Sequence, residues 1–221
     1  KTRALINSGK IVELGNEENI NTEMLLDLNP DALIGFTLNS NNKMFQTIEK
    51  FGIPVLLNGD WVEDTPLGRA EWIKFFGVLF DREKEADSIF SIIEESYLAA
   101  VEIAKQAKNR PTVLSGGLYR DIWNLPAGDS FEAQFMKEAN LNYLWSETSG
   151  RGSLSLGIET VFEKGKEADI WISPSKYESL KDMKNANGLY EEFSAFKKKK
   201  IYSFINKKGD LDGIIYFEKA P

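Results

Sequence analysis

The sequence predicts an α/β protein: two αβ lobes with parallel-rich sheets, bridged by a single long helix. Two observations lead there. From Asp81 to Asn109 there is no Gly or Pro, and Ala86, Ile89, Phe90, Ile93, Tyr97, Ala100, Val101 and Ala104 recur every three or four positions, as one helical face requires. On either side of that stretch, TEMLLDLNPDALIGF and GIETVFEKGKEADIWIS follow one plan: a short helix with Glu in its first turn, a break, an Asp and a buried strand. The expected division is therefore an N-terminal lobe over 1–80, a connecting helix over 81–109 and a C-terminal lobe over 110–221.

In chain order, residues 1–8 can finish a helix that Gly9 ends, and Lys10 to Leu14 read as extended. Asn21 or Thr22 caps a short helix broken at Asn29-Pro30. Asp31 to Phe36 reads as a strand buried on both faces, a polar loop covers Thr37 to Asn42, a helix covers roughly 43–51, and Gly52 to Leu57 is a second strand. Strand, helix, strand implies parallel neighbours joined by a right-handed crossover. Thr65 caps a helix with Pro66 at its first position, and that helix runs on through Phe80. Asp81 caps the long helix, Glu83 and Glu85 suit its positive end, and Lys105, Lys108 and Arg110 suit its negative end before Pro111. At ~1.5 Å per residue this strut is roughly 43 Å long.

Beyond it, Thr112 to Ser115 is a strand, and Gly116-Gly117 opens a long loop holding Tyr119, Arg120, Trp123, Pro126 and Gly128. Asp129 or Ser130 caps a helix to about Asn140, Asn142 to Trp145 is extended, and Ser146 to Leu156 is a Gly/Ser-rich loop with Arg151. Gly157 to Lys164 is a short helix, Ala168 to Ile172 a strand, 178–195 a broken helix and Ile201 to Ile205 the last strand. Ligands of open αβ sheets bind outside the carboxyl ends of strands, which points to the loops after Phe36, Leu57, Ser115 and Trp145.

Composition narrows the chemistry. A net charge of -7 argues against nucleic acid, because the one dense basic run is Lys197 to Lys200. The chain has no cysteine and no histidine, which excludes thiolate, Ser-His-Asp and histidine-metal chemistry. No apolar run approaches the ~18 residues of a membrane span. The chain starts at Lys1 without a methionine, so its location cannot be read from its start. Gly150, Gly152 and Gly157 have the wrong spacing for a dinucleotide fingerprint, Asp210, Asp212 and Gly213 lack the remaining ligands of a calcium loop, and Arg69 and Glu71 read as structural.

The segments NTEMLLDLNPDALI, GIPVLL, TPLGRAEWIKF, WNLPAGDSFEAQFMKEANLNYLW and GIETVFEKGKEADIWI resemble the substrate-binding proteins of bacterial ABC importers for ferric siderophores, cobalamin and haem. The third and fourth are similar to a branch found in Bacteroidetes envelope proteins. The resemblance implies two lobes joined by a long helix, a ligand in the cleft and no enzymatic activity. It also implies a further strand and helix before Lys1 and helices after Pro221. A monomer in the periplasm or cell envelope, peripheral to the membrane and lipid-anchored through a missing N-terminus, follows from the same resemblance.

In that family one Glu per lobe docks onto permease arginines, and by motif these fall on Glu23 and Glu159. The competing reading is a pair of helix-start glutamates, each stabilising its helix dipole by ~0.3 to 1 kcal/mol. For the ligand, the resemblance places Phe36 as an aromatic contact; Trp61, Tyr119 and Trp123, in the loops after neighbouring strands, suit a large, partly aromatic chelate, and Arg151, with Arg120, suits an anionic one. A core aromatic competes for each ring and surface solvation for each arginine; Trp72, Trp145 and Trp171 read as core. The expected ligand is a metal chelate, a ferric siderophore before cobalamin or haem. Ser and Gly near 152–153, where an aromatic is expected, argue against cobalamin. No resident cofactor is expected. A chelatase-like enzyme would need paired carboxylates that the cleft loops lack, and a protein-interaction module would use the same aromatics.

Overall fold

The protein is described from a computed structural model covering residues 2–16, 19–36, 42–174, 177–206, 208–209 and 214. The expected polar loop from Thr37 onward and the Asp210, Asp212 and Gly213 group lie outside the described residues, apart from Asn42. The chain divides into two compact units, Lys1–Trp61 and Val62–Pro221.

The first unit begins with α1 (Thr2–Asn7), and Gly9 takes a φ of +72° immediately after it. The extended character expected over Lys10 to Leu14 instead appears one residue later, in β1 (Gly15–Asn16), which pairs antiparallel with β2 (Asn19–Ile20). Helix α2 (Thr22–Leu28) starts at Asn21, whose side chain accepts from the Met24 N–H, and ends at Asn29 in the left-handed region just before Pro30. Strand β3 (Leu33–Gly35), helix α3 (Lys43–Lys50) and strand β4 (Val55–Leu57) make the parallel crossover, with Leu33 opposite Val55 and Gly35 opposite Leu57. Leu25, Phe45, Ile48 and Ile53 form its core. Gly35 is required at the contact: a Cβ there would stand 2.7 Å from the tip of the Phe45 ring.

In the second unit, the segment expected as one helix from Thr65 to Phe80 is two, α4 (Pro66–Glu71) and α5 (Ile73–Leu79), broken at Trp72. The Trp72 indole N–H donates to Glu63 at 2.9 Å, and the Arg69 guanidinium lies 4.8 Å over the Phe131 ring. The long helix α6 spans Glu83–Lys105, about 34 Å, shorter at both ends than expected. Asp81 does not cap it, because its backbone is left-handed with φ 55° and closes the turn from α5. Arg82 takes the cap position without a side-chain bond to the helix's free N–H groups, its guanidinium donating instead to Glu85 at 2.9 Å. At the other end the Asn140 amide donates to the carbonyls of Ala104, at 3.0 Å, and Ala107, so the last turn is satisfied without continuing to Pro111. Tyr97 adds a hydrogen bond to Glu138, and Gly77 admits Ala86 where α5 crosses α6.

Strand β5 (Thr112–Ser115) is followed by β6 (Gly117–Tyr119) and β7 (Ile122–Pro126), helix α7 (Phe131–Glu138), β8 (Asn142–Tyr143), β9 (Ser153–Gly157), helix α8 (Ile158–Gly165) and β10 (Ile170–Ile172). The predicted broken helix is α9 (Leu180–Ala186), a 3-10 turn at Gly188–Glu192 and α10 (Ser194–Lys197). Strand β11 covers only Ile201–Tyr202, because the Ser203 hydroxyl accepts from the Ile205 N–H and turns the chain. The parallel sheet runs β11-β10-β5-β8. Asp169 and Thr112 tie β10 to β5: the Asp169 carboxylate accepts from the Thr112 N–H at 3.0 Å and hydroxyl at 2.9 Å, which holds its pKa below the usual carboxylate range.

The loops expected over 116–130 and 146–156 are largely a second sheet, antiparallel in the order β6-β7-β9. Its inner side chains, Leu118, Trp123, Leu125, Leu154 and Leu156, join the core built on Val113, Leu114, Trp171 and Phe193. Its outer positions are Tyr119, Ile122, Asn124, Ser153, Ser155 and Gly157, so both strands alternate with period two. Arg120 and Asp121, at φ 48° and 62°, make the two-residue hairpin turn without a glycine.

Candidate functional site

In the first unit, Phe36 leaves the carboxyl end of β3 with 38% of its surface exposed, beside the end of β4, where Leu57 is 52% exposed. Leu57 was not singled out as a contact, although the sequence already placed it at the carboxyl end of its strand. Trp61 lies in the 3-10 turn Asp60–Val62, and its side chain is outside the described residues. Glu23 stands exposed in the first turn of α2, with no ion pair or hydrogen bond to its carboxylate among the described residues.

In the second unit, Trp123 is a correction. It is fully buried, stacked on Trp171 at 5.2 Å and packed near Tyr190 and Phe193, and its indole N–H donates to the Ser115 carbonyl at 3.0 Å. Trp171 likewise donates to the Gly116 carbonyl at 2.8 Å. The two indoles satisfy the backbone at the carboxyl end of β5, so Trp123 offers no surface to a ligand. Trp171 and Trp145 are buried as expected, whereas Trp72 is half-buried.

Tyr119, 59% exposed, projects from the outer face of the β6-β7-β9 sheet, with the Arg120 guanidinium 5.3 Å over its ring. Arg151 donates from Nε to Asp64 at 2.8 Å, and both side chains are largely exposed. Its loop is pinned: Gly150 N–H donates to the Asp129 carboxylate at 2.8 Å, Asp129 N–H to the Gly150 carbonyl, and Gly128 N–H to the Thr148 hydroxyl at 2.9 Å. Gly150, at φ +109°, and Gly128, whose Cβ would collide with the Thr148 and Ser146 carbonyls, are what this docking requires. Glu159 is exposed in the first turn of α8, again with no ion pair or hydrogen bond to its carboxylate among the described residues. Tyr202, exposed at the carboxyl end of the edge strand β11, is a further strand-end aromatic that sequence reading did not single out.

Two surface concavities, one lined by Glu13, Leu14, Gly15, Ile20 and Asn21 and one by Glu63, Gly68, Glu71, Trp72 and Phe75, contain none of the expected ligand contacts. Among the described residues no three acidic side chains are grouped so as to hold a metal ion, and no helix is long and apolar enough to cross a membrane.

Parallel sheets with the exposed aromatics Phe36 and Tyr202 at strand ends, and one 23-residue helix, define an α/β scaffold of the kind that holds small ligands at strand ends. The chain belongs to the periplasmic binding protein family, whose sequence profile matches residues 2–206. It is similar to an uncharacterised lipoprotein of Methanocaldococcus jannaschii, with 29% identity over 197 residues, 88% of this chain and 47% of that one. The chain spans about half the length of the curated relatives it matches. Its fold is similar to that of the periplasmic haem-binding protein HutB of Vibrio cholerae, at a TM-score of 0.71 and 20% identity, covering 90% of this chain and 77% of that one. A possible iron-binding periplasmic solute-binding protein of Staphylococcus epidermidis has a similar fold at a TM-score of 0.66 and 18% identity, with the same coverages.

Proposed function

We propose that this chain is the substrate-binding component of an ABC importer and captures an iron-containing chelate, a ferric siderophore ahead of haem or cobalamin, for delivery to a membrane permease. It performs no reaction on its ligand. The observation that carries the reading is that two exposed first-turn carboxylates, Glu23 on α2 and Glu159 on α8, one in each compact unit, have no ion pair or hydrogen bond among the described residues of this periplasmic binding protein. A carboxylate in such a position pairs readily with a permease arginine. An iron ligand is supported by the names of the haem-binding and possible iron-binding proteins that share the fold. Haem ranks lower because the chain has no histidine to hold its iron. An envelope location with a lipid anchor is supported by the lipoprotein relative.

Ligand contact falls to Phe36, with its neighbour Leu57, to Trp61 and to Arg151, which suits the anionic groups of a ferric chelate. Two measurements test the reading. Intrinsic fluorescence of the full-length protein titrated with ferrichrome, ferric enterobactin, haem and cyanocobalamin should show saturable quenching by one of them, weakened in Phe36→Ala and Arg151→Ala. Uptake of that chelate should fall by at least roughly ten-fold in the double variant Glu23→Arg, Glu159→Arg while binding persists. Undiminished uptake in the double variant would remove the docking role, and no quenching by any chelate would remove the iron-chelate class.

A further inference from the structure

The surface beside Glu159 is built from more than a helix end. Gly157 is the last residue of β9 and pairs with Ile122 on β7, which pairs in turn with Tyr119 on β6. Residues directly opposite across an antiparallel ladder put their side chains on the same face, at about 5 Å per strand. The Glu159 side chain folds back over this rank: its Oε2 stands 3.3 Å from where a Cβ on Gly157 would be. The carboxylate therefore shares one face with Ile122, 48% exposed, and Tyr119, 59% exposed, while the opposite face of the same strands is buried in the core.

Glu23 has no such surround: Met24, the next residue along α2, turns to a different side of the helix, and the residue four ahead on Glu23's own side is the exposed Asp27.

We propose that the Glu159 carboxylate works inside an apolar collar made by Tyr119 and Ile122, and that the occupant of this collar is an arginine-bearing loop of the permease. The proposal rests on the docking role given above to Glu159. An arginine has two parts to satisfy: the guanidinium pairs with the carboxylate and stacks on an aromatic face, and the methylene stem covers apolar surface. The Tyr119 ring already accepts a guanidinium at stacking distance, that of Arg120, which an incoming arginine would replace. A lysine-bearing loop fits less well, since a compact ammonium neither stacks nor pairs in two-point fashion. On this assignment Tyr119 faces the transporter and not the chelate.

The test uses the full-length protein and its cognate permease–ATPase complex in lipid nanodiscs, with association read by biolayer interferometry. Tyr119→Ala and Ile122→Ser lie on the solvent face, and circular dichroism verifies that each variant folds. Each should weaken association by roughly five- to ten-fold. Quenching by whichever of ferrichrome, ferric enterobactin, haem or cyanocobalamin binds the parent should be unchanged, and Tyr119→Phe should restore association. If Glu159→Arg abolishes association but Tyr119→Ala and Ile122→Ser leave it intact, the collar is wrong and the docking role stands. If Glu159→Arg itself has no effect, the docking role fails and the collar with it. Loss of chelate quenching in Tyr119→Ala, with association retained, would return Tyr119 to the ligand and overturn the collar.

Discussion

Replacing Trp123 by Phe separates a buried structural indole from a ligand contact. The side chain has no exposed surface, its N–H donates to the Ser115 carbonyl at 3.0 Å, and its ring stacks on Trp171 at 5.2 Å. Phe keeps one ring in place but removes the donor, leaving a buried carbonyl at a cost of about 1–3 kcal/mol. The missing second ring leaves a gap worth about 1 kcal/mol more. The sum is roughly 2–4 kcal/mol, and at about 2–4 °C per kcal/mol for a unit the size of Val62–Pro221 the midpoint should fall by roughly 5–15 °C. Thermal unfolding followed by circular dichroism reads that shift, and the remaining tryptophans still report chelate quenching, whose midpoint should not move. A melting temperature within about 1 °C of the parent, combined with lost quenching, would put this indole at the ligand and refute the packing argument.

Two further outcomes follow from the second unit. Asp169→Asn removes the carboxylate that bridges β10 to Thr112, and at neutral pH should cost about 1 kcal/mol, since the group is partly exposed. Because folding lowers the Asp169 pKa, its contribution is present above the unfolded carboxylate value and disappears as pH falls through the folded one; the stability gap between parent and variant should close below about pH 4, read from urea midpoints. A gap independent of pH would mean that the charge is immaterial. Gly128→Ala drives a Cβ into the Thr148 and Ser146 carbonyls, so the loop before Arg151 must move; a loss of about 1–3 kcal/mol by urea unfolding and weaker chelate quenching are expected. Unchanged stability would show that the loop yields freely.

Several elements were legible because their signals are local. Asn21, Thr65 and Ser130 cap the helices they precede, Pro66 opens α4, and the apolar runs at 33–35, 112–115 and 170–172 form parallel strands. The antiparallel sheet was not read, although Ile122 to Pro126 and Ser153 to Gly157 alternate with period two, because Gly, Ser and Pro mask the pattern and the turn at Arg120-Asp121 lacks the usual glycine. Asp81 had the right residue type for a helix cap, but the turn out of α5 claimed its backbone first.

The same division runs through the site. The first-turn places of Glu23 and Glu159 were legible in the sequence, since a carboxylate there needs only its own helix to be placed, while their proposed docking role came from the family resemblance. The α/β class, the long helix and the absence of histidine and cysteine chemistry were likewise written in composition and periodicity. Which aromatic meets solvent was decided by the tertiary structure alone. Tyr119 and Trp123 sit four residues apart across one hairpin, and strand pleating puts Tyr119 on the outer face and Trp123 on the inner one. A side chain's face in a sheet depends on pairing with residues far along the chain, here Gly157 and Leu156, and no local pattern contains that information.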